Sequence, residues 1–283
     1  MKSKSGGDLL FNFYRERADA FIVNLYKASL DLSIDEIHNV RVEVKKIRSF
    51  FRTLRTIHLS SPDLKVIDGS REIFKDIFSV TGIIRETQLN LIEMSKMQIS
   101  NADFNRYQKF IRETENNAVK DFKMLMKKFE INRFAEVNRE VKRICENLDY
   151  TDIKKYYLDF IFTEIKRIRK MTGSVPDNEQ LHKIRKYLKS IHTASEYLMI
   201  INRKIKIKRF IKRVKKTEVL LGQWHDRIVF ISFLNRYLDL HKNESGTKTA
   251  VFTNILDSLN SSVEFSKPEL YSEIRDVIRN VKI

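Results

Sequence analysis

Glycine and proline are scarce in this chain, at 7 and 3 residues of 283. Tight hairpins and short strands draw their turns from those residues, so the scarcity argues against a β-rich fold. Long stretches of helical periodicity fill the length instead, and all-α is the fold class they predict. A single cysteine, Cys145, excludes an internal disulfide and any cysteine-based metal cluster. It closes the periodic run VKRIC and reads as a buried, inert thiol. No stretch approaches the roughly 20 apolar residues that cross a bilayer. The opening residues MKSKSGGDLLFNFYRERADA lack the apolar core of a secretory signal, so a cytoplasmic setting fits. Enzyme signatures are lacking too. There is no glycine-rich phosphate loop ending Gly-Lys-Ser/Thr, no His-Glu-x-x-His and no Ser–His–Asp or Cys–His set. No catalytic residue, cofactor or metal is assigned.

Acidic residues are the remaining shortage. Lys and Arg number 54 against 37 Asp and Glu, a net charge of +17. Such a surplus is a statement about attraction to polyanions rather than about fold: nucleic acid, anionic membrane and inorganic phosphate chains all qualify. The surplus is sharpest over residues 38–55, HNVRVEVKKIRSFFRTLR. On a helix, His38, Arg41, Lys45, Arg48, Arg52 and Arg55 fall within an arc of about 100°. Val40, Val44, Ile47, Phe51 and Leu54 form the adjoining arc, and only Lys46 lies out of line. No Asp or Glu interrupts the cationic row. Like charges at i,i+4 destabilise a helix by roughly 0.2–0.5 kcal/mol per pair, and a merely solvated basic face interleaves glutamate. The row therefore reads as a wall of a binding site.

The rest of the chain arranges itself around that helix. Residues 1–8 read as a disordered Gly/Ser-rich end, followed by a helix over 9–30. Ser33 and Glu36 form a capping-box pattern for a second helix reaching about 58. Ser60-Ser61-Pro62-Asp63 marks a break and restart. A third helix over 63–80 approaches Gly82, a point of close packing or a kink, and the pattern resumes to 97. Further helices are expected over 104–129 and 134–147, then a linker at 148–152. The second half holds helices over 153–171, from 178 onward, and from the cationic segment 202–216 to 241. Loops fall at 172–177 and 243–247, and two last helices at 249–262 and 268–282. Met124, Met126, Met171 and Met199 read as core filler.

Spacing reveals a repeat. His38-x-x-Arg41-x-x-x-Lys45 is matched by His182-x-x-Arg185-x-x-x-Lys189, and Gly82-x-x-x-Glu86 by Gly222-x-x-x-Asp226. These paired motifs, in the same order in both halves, resemble the CHAD family, the conserved histidine α-helical domain. The resemblance covers 9–147 as a first repeat and 152–283 as a second, together one domain. It implies two tandem antiparallel four-helix bundles related by a pseudo-two-fold axis, with a basic central surface. It also implies non-catalytic binding of inorganic polyphosphate, in the cytoplasm and at polyphosphate granules. On that basis His38, Arg41, Lys45, Arg48, Arg52, His182, Arg185 and Lys189 fall at motif positions, and Glu196 at a family acidic position. The sequence departs from the pattern at His192, where a second arginine is usual, at Glu86 in place of Asp, and at Thr81 before Gly82.

Arg55 extends the first row, and Lys75 stands on the neighbouring helix beside Arg71, Asp68 and Glu72. In the second half Lys204, Lys208, Lys212 and Lys215 share one face and can supply charge that the weaker motif helix lacks. Arginine grips two phosphate oxygens at once, whereas lysine is a mobile point charge. Glu86 and Asp226 read as structural partners of nearby cations rather than magnesium ligands. Trp224 reads as core, and His225 as a wall of any pocket beside it. Nucleic-acid binding is the first alternative, weakened because aromatic residues do not interleave the basic rows. A phosphate-chain hydrolase or kinase is the second, and docking on anionic membrane the third.

Overall fold

The computed structural model describes residues 6–57, 59–97, 102–202, 205–241, 248–279 and 281. Among them lie ten helices and no strand: α1 (Gly6–Leu30), α2 (Ile34–Leu54), α3 (Ser61–Ile73), α4 (Lys75–Lys96), α5 (Ala102–Lys128), α6 (Ile131–Glu146), α7 (Tyr150–Met171), α8 (Asn178–Ile201), α9 (Ile205–Leu240) and α10 (Lys248–Arg279). The starts are chemically legible. Ser33 accepts a hydrogen bond from the Glu36 N–H and Ser60 from the Asp63 N–H. Asp177 and Gln180 bond reciprocally at the head of α8.

Several expected boundaries move, each for a physical reason. Helix α1 begins at Gly6, inside the segment read as disordered. A Cβ on Gly7 would stand 2.1 Å from the Cys145 carbonyl oxygen, so this glycine lets α1 lie directly against the end of α6. The Ser33 box is half formed, because the Ser33 N–H donates to Asp31 rather than to Glu36. Helix α2 ends at Leu54 with Arg55 as its cap, short of residue 58, which lies outside the described residues. The break before α4 falls at Phe74, not at Gly82. That fully buried ring meets Phe21 at 5.1 Å and Phe134 at 6.2 Å, and the chain bends to seat it. The last two expected helices are one. Pro268 leaves a backbone bond unmade, but Val263, Leu270, Ile274 and Val277 are buried on both sides of it and hold one register. Met124 is exposed rather than core. The expected loop at 243–247 and Lys204 lie outside the described residues.

Within the first half α1 packs against α2 and α6, and α4 against α5. In the second, α7 packs on α8, α8 on α9 and α9 on α10. The halves meet where α2 lies on α8 and α4 on α9. Their buried side chains form one cluster. Tyr107 of α5 meets Tyr237 of α9 edge-on at 5.1 Å, and Phe13 of α1 meets Tyr197 of α8 at 5.7 Å. Full burial of each such ring contributes about 1.5–3 kcal/mol. The apolar arc of α2 is wholly inside: Val40, Val44, Ile47, Phe51 and Leu54 expose nothing. That burial fixes the rotation of α2, and with it the direction of the cationic arc.

Candidate functional site

Helix α2 presents Arg41 and Lys45, and α8 presents Arg185 and Lys189, across the seam between the halves. All four are partly buried. Burial pulls the Lys45 pKa down to about 6, and the charges of Lys189, Arg41 and Arg185 push the same way. Lys189 falls to about 8 through burial and then Arg185. Arg41 falls to about 10, again first through burial. Each group lies in the field of cations from the other half, so the two rows share one electrostatic centre. Two carboxylates stand by. Burial raises Glu86, with Arg41 opposing, and raises Asp226, with Arg185 and Arg85 opposing. Neither forms an ion pair within 4 Å among the described residues, so the cationic charge is only partly met.

On the first-half side the cations rest on an aromatic shelf. The Phe78 ring lies 4.4 Å from the Arg41 guanidinium, 4.9 Å from that of Arg48 and 5.9 Å from the Lys45 ammonium. Such contacts add about 0.5–2 kcal/mol each. Arg41 also donates from Nη1 to the Phe78 carbonyl at 2.7 Å. Gly82 makes room for that guanidinium, since a Cβ there would stand 2.7 Å from Nη1. The expected close approach at Gly82 is therefore a side chain, not a helix backbone.

The second-half side is built differently. His192 stands 144 residues from Arg48, and its Nδ1 meets the Glu218 carboxylate, with Glu196 at 3.9 Å. Burial works to lower the His192 pKa, but the Glu218 hydrogen bond and charge prevail and raise it. Glu218 stands 140 residues from Phe78, so a carboxylate replaces the aromatic shelf. A Cβ on Gly222 would meet nothing within 4 Å. Arg185 makes no hydrogen bond or ion pair among the described residues, and its Nε is buried without a partner.

The remaining predicted residues divide into three groups. His38 and His182 sit at the rim. Burial lowers both pKa values, aided by Arg85 and Lys45 for His38 and by Arg185 for His182. His182 packs edge-on against Trp224 at 4.9 Å and against His225 at 5.0 Å. Trp224 is 1 % exposed, a core residue as expected. Arg52, Arg55 and Lys75 are not brought into the centre but are held by acids. Arg52 bonds the buried Glu164 of α7 at 2.6 Å and stacks on Tyr187 of α8 at 5.0 Å. Arg55 pairs with Asp68 at 2.9 Å, and the exposed Lys75 with Glu72 at 3.2 Å. Lys208, Lys212 and Lys215 are exposed along α9 with no ion pair among the described residues.

Phe78 and Arg85 escaped sequence reasoning, and His225 was read there only as a pocket wall. Phe78 carried no polar signal. Arg85 and His225 did carry one: each precedes the acid of a Gly-x-x-x-acid motif at the same 140-residue separation. Arg85 donates to the Ile34 carbonyl at 3.0 Å, locking the start of α2 to α4. Burial lowers the His225 pKa to about 3, and its Nδ1 has no partner. No group of three or more His, Cys, Asp or Glu among the described residues is placed to hold a metal ion. No helix among them is long and apolar enough to cross a membrane.

Comparison with known proteins places this arrangement. No curated protein matches the sequence. Two solved structures share the fold over nearly the whole chain. The crystal structure of the CHAD domain from the plant Ricinus communis superposes with a TM-score of 0.70 at 12% identity, covering 98% of this chain and 93% of that one. PptA from Streptomyces chartreusis superposes with a TM-score of 0.67 at 11% identity, covering 98% and 100%. The family model described as the CHAD domain matches residues 14–235, from α1 to the last turns of α9 and through both motif helices. The chain belongs to the CHAD domain family.

Proposed function

We propose that this protein binds inorganic polyphosphate at the seam between α2 and α8 without turning it over. The observation that carries the reading is the apposition of Arg41 and Lys45 with Arg185 and Lys189. Burial comes first in lowering all four, and neighbouring cations add to it at Lys45, which falls to about 6, at Lys189 and at Arg41, while at Arg185 Asp226 and Glu218 oppose it. A cluster under such self-repulsion is relieved by an anion with several closely spaced charges. A phosphate chain supplies them along a thin, flexible backbone, and many contacts add while counterions are released. Nucleic acid fits less well. The ring nearest the cations, Phe78, is already stacked against Arg41 and Arg48, which compete with a base for it.

Lys45→Ala with Lys189→Ala is the direct test, because neither ammonium makes a hydrogen bond that holds the fold. Charge-assisted contacts contribute about 1.5–3 kcal/mol each, so polyphosphate affinity should fall at least tenfold at fixed ionic strength, with helicity unchanged. Unchanged affinity would remove the site. In competition, polyphosphate should displace single-stranded RNA at equal phosphate concentration and not the reverse. Phosphate release from polyphosphate with magnesium present would overturn the non-catalytic reading.

A further inference from the structure

Two lanes lead out of the cationic centre, one beside each motif glycine, and they are not alike. On α9 the residues Asp226, Gly222, Lys215, Lys212 and Lys208 lie within about 40° of one line along the helix. The lane runs about 27 Å from Asp226 to Lys208 at 1.5 Å per residue. Gly222 adds no side chain to it, and apart from its own stretch of helix no atom lies within 4 Å of where a Cβ would stand; the exposed Val219 is the one apolar side chain on the line between Gly222 and Lys215. The three lysines beyond are exposed and unpaired among the described residues, and no acid interrupts the line between them. Arg185, at the head of the lane, has a buried Nε without a partner.

The counterpart lane in the first half is closed along its length. At the 140-residue separation of the glycines, Lys208 and Lys212 correspond to Asp68 and Glu72, and Lys215 to Lys75. Asp68 holds Arg55 at 2.9 Å and Arg71 at 3.7 Å, and Glu72 holds Lys75 at 3.2 Å. The cations on that side are paired with surface acids of the same half. The helix itself breaks at Phe74. At Gly82 the Arg41 guanidinium fills the space that Gly222 leaves empty.

We infer that the site is directional: a linear polyphosphate anchored at Arg185, Lys189 and Lys45 leaves over Gly222 and along Lys215, Lys212 and Lys208, and the α3 side carries no chain. The inference rests on the polyphosphate reading and adds its ligand class, long linear chains in preference to short ones. Tripolyphosphate satisfies the centre but does not reach the lysine lane, so length is read by α9 alone.

Titrations with tripolyphosphate and with long-chain polyphosphate at fixed ionic strength test this. In Lys208→Gln/Lys212→Gln/Lys215→Gln, long-chain affinity should fall at least tenfold and tripolyphosphate affinity by less than twofold. The long-chain salt slope should drop by about 2, for three contacts at roughly 0.7 each. Gly222→Leu, which puts a good helix former into open space, should reproduce the length-selective loss with the fold intact. Arg71→Gln/Lys75→Gln on the closed side should match wild type. Equal weakening for both lengths, or a closed-side loss as large as that of the lysine triple variant, would overturn the directional lane. The two readings fail separately. If Lys45→Ala/Lys189→Ala binds both ligands normally, the centre is not the site. If that variant loses both while the triple variant is unaffected, only the lane is wrong.

Discussion

Polyphosphate binding should take up protons, and the number follows from the site. In the free protein Lys45 has a pKa of about 6 and Lys189 of about 8. At pH 8 Lys45 is then almost wholly neutral and Lys189 about half neutral. A polyanion against both ammonium groups favours their charged forms and returns them toward or above the ordinary 10.5. Binding at pH 8 therefore draws in about 1.5 protons, and the logarithm of affinity falls by about 1.5 per pH unit there. His38, His182 and His225, all lowered by burial, are neutral in the free protein at pH 8. Calorimetry in buffers of different ionisation enthalpy reads the number directly. Long chains are required, so that the titrating terminal phosphates are few. Lys45→Gln should reduce the uptake to about 0.5, the share of Lys189, whose pKa is set by burial, Arg185 and Arg41 rather than by a Lys45 that is already neutral at this pH. Uptake near zero in wild type, with affinity independent of pH from 7 to 9, would refute the argument. Linkage to folding has a defined sign. The folded Lys45 holds fewer protons than the unfolded one between about 6 and 10.5, so its contribution to stability rises with pH across that window and is lowest below it.

Other outcomes follow from the packing. Arg52→Ala leaves Glu164, whose side chain is 1% exposed, with Arg167 alone. Breaking a buried pair costs about 3–5 kcal/mol, discounted here to roughly 2–3 because Arg52 is itself about one-third exposed. Urea unfolding should show the midpoint shift, and a loss of polyphosphate affinity at unchanged stability would instead return Arg52 to the site. Gly222→Ala should stabilise by about 0.5–1 kcal/mol through helix propensity. Gly82→Ala should give no such gain, because its Cβ displaces Arg41 from the Phe78 carbonyl; equal gains would refute the asymmetry. Gly7→Ala drives a Cβ into the Cys145 carbonyl and should destabilise by about 1–3 kcal/mol in thermal melts. Cys145 is fully buried with its pKa raised by burial, so it should resist a thiol reagent until unfolding.

By itself the sequence determined the helical class, the apolar arc of α2 and the row of cations beside it. These are local properties: a 3.6-residue period and the identities of neighbours one turn apart. The paired motifs were legible for the same reason, as short patterns of fixed internal spacing recurring 144 and 140 residues apart. Where a helix bends is a matter of packing, and so the break fell at Phe74, where an aromatic cluster claims the ring, rather than at the glycine. Only the tertiary structure decided which cations are available. Arg52 and Glu164 are 112 residues apart, and no pattern within α2 announces that pairing. Arg55 and Lys75 are likewise taken by acids that another helix or another turn supplies. Arg41, Lys45, Arg185 and Lys189 form one centre only because α2 and α8 bury their apolar arcs against a common core and so turn their charged arcs toward the same seam. The difference between the two glycines is tertiary as well. Both stand four residues before an acid, but at one an arginine reaching across from α2 fills the space and at the other no neighbouring element does.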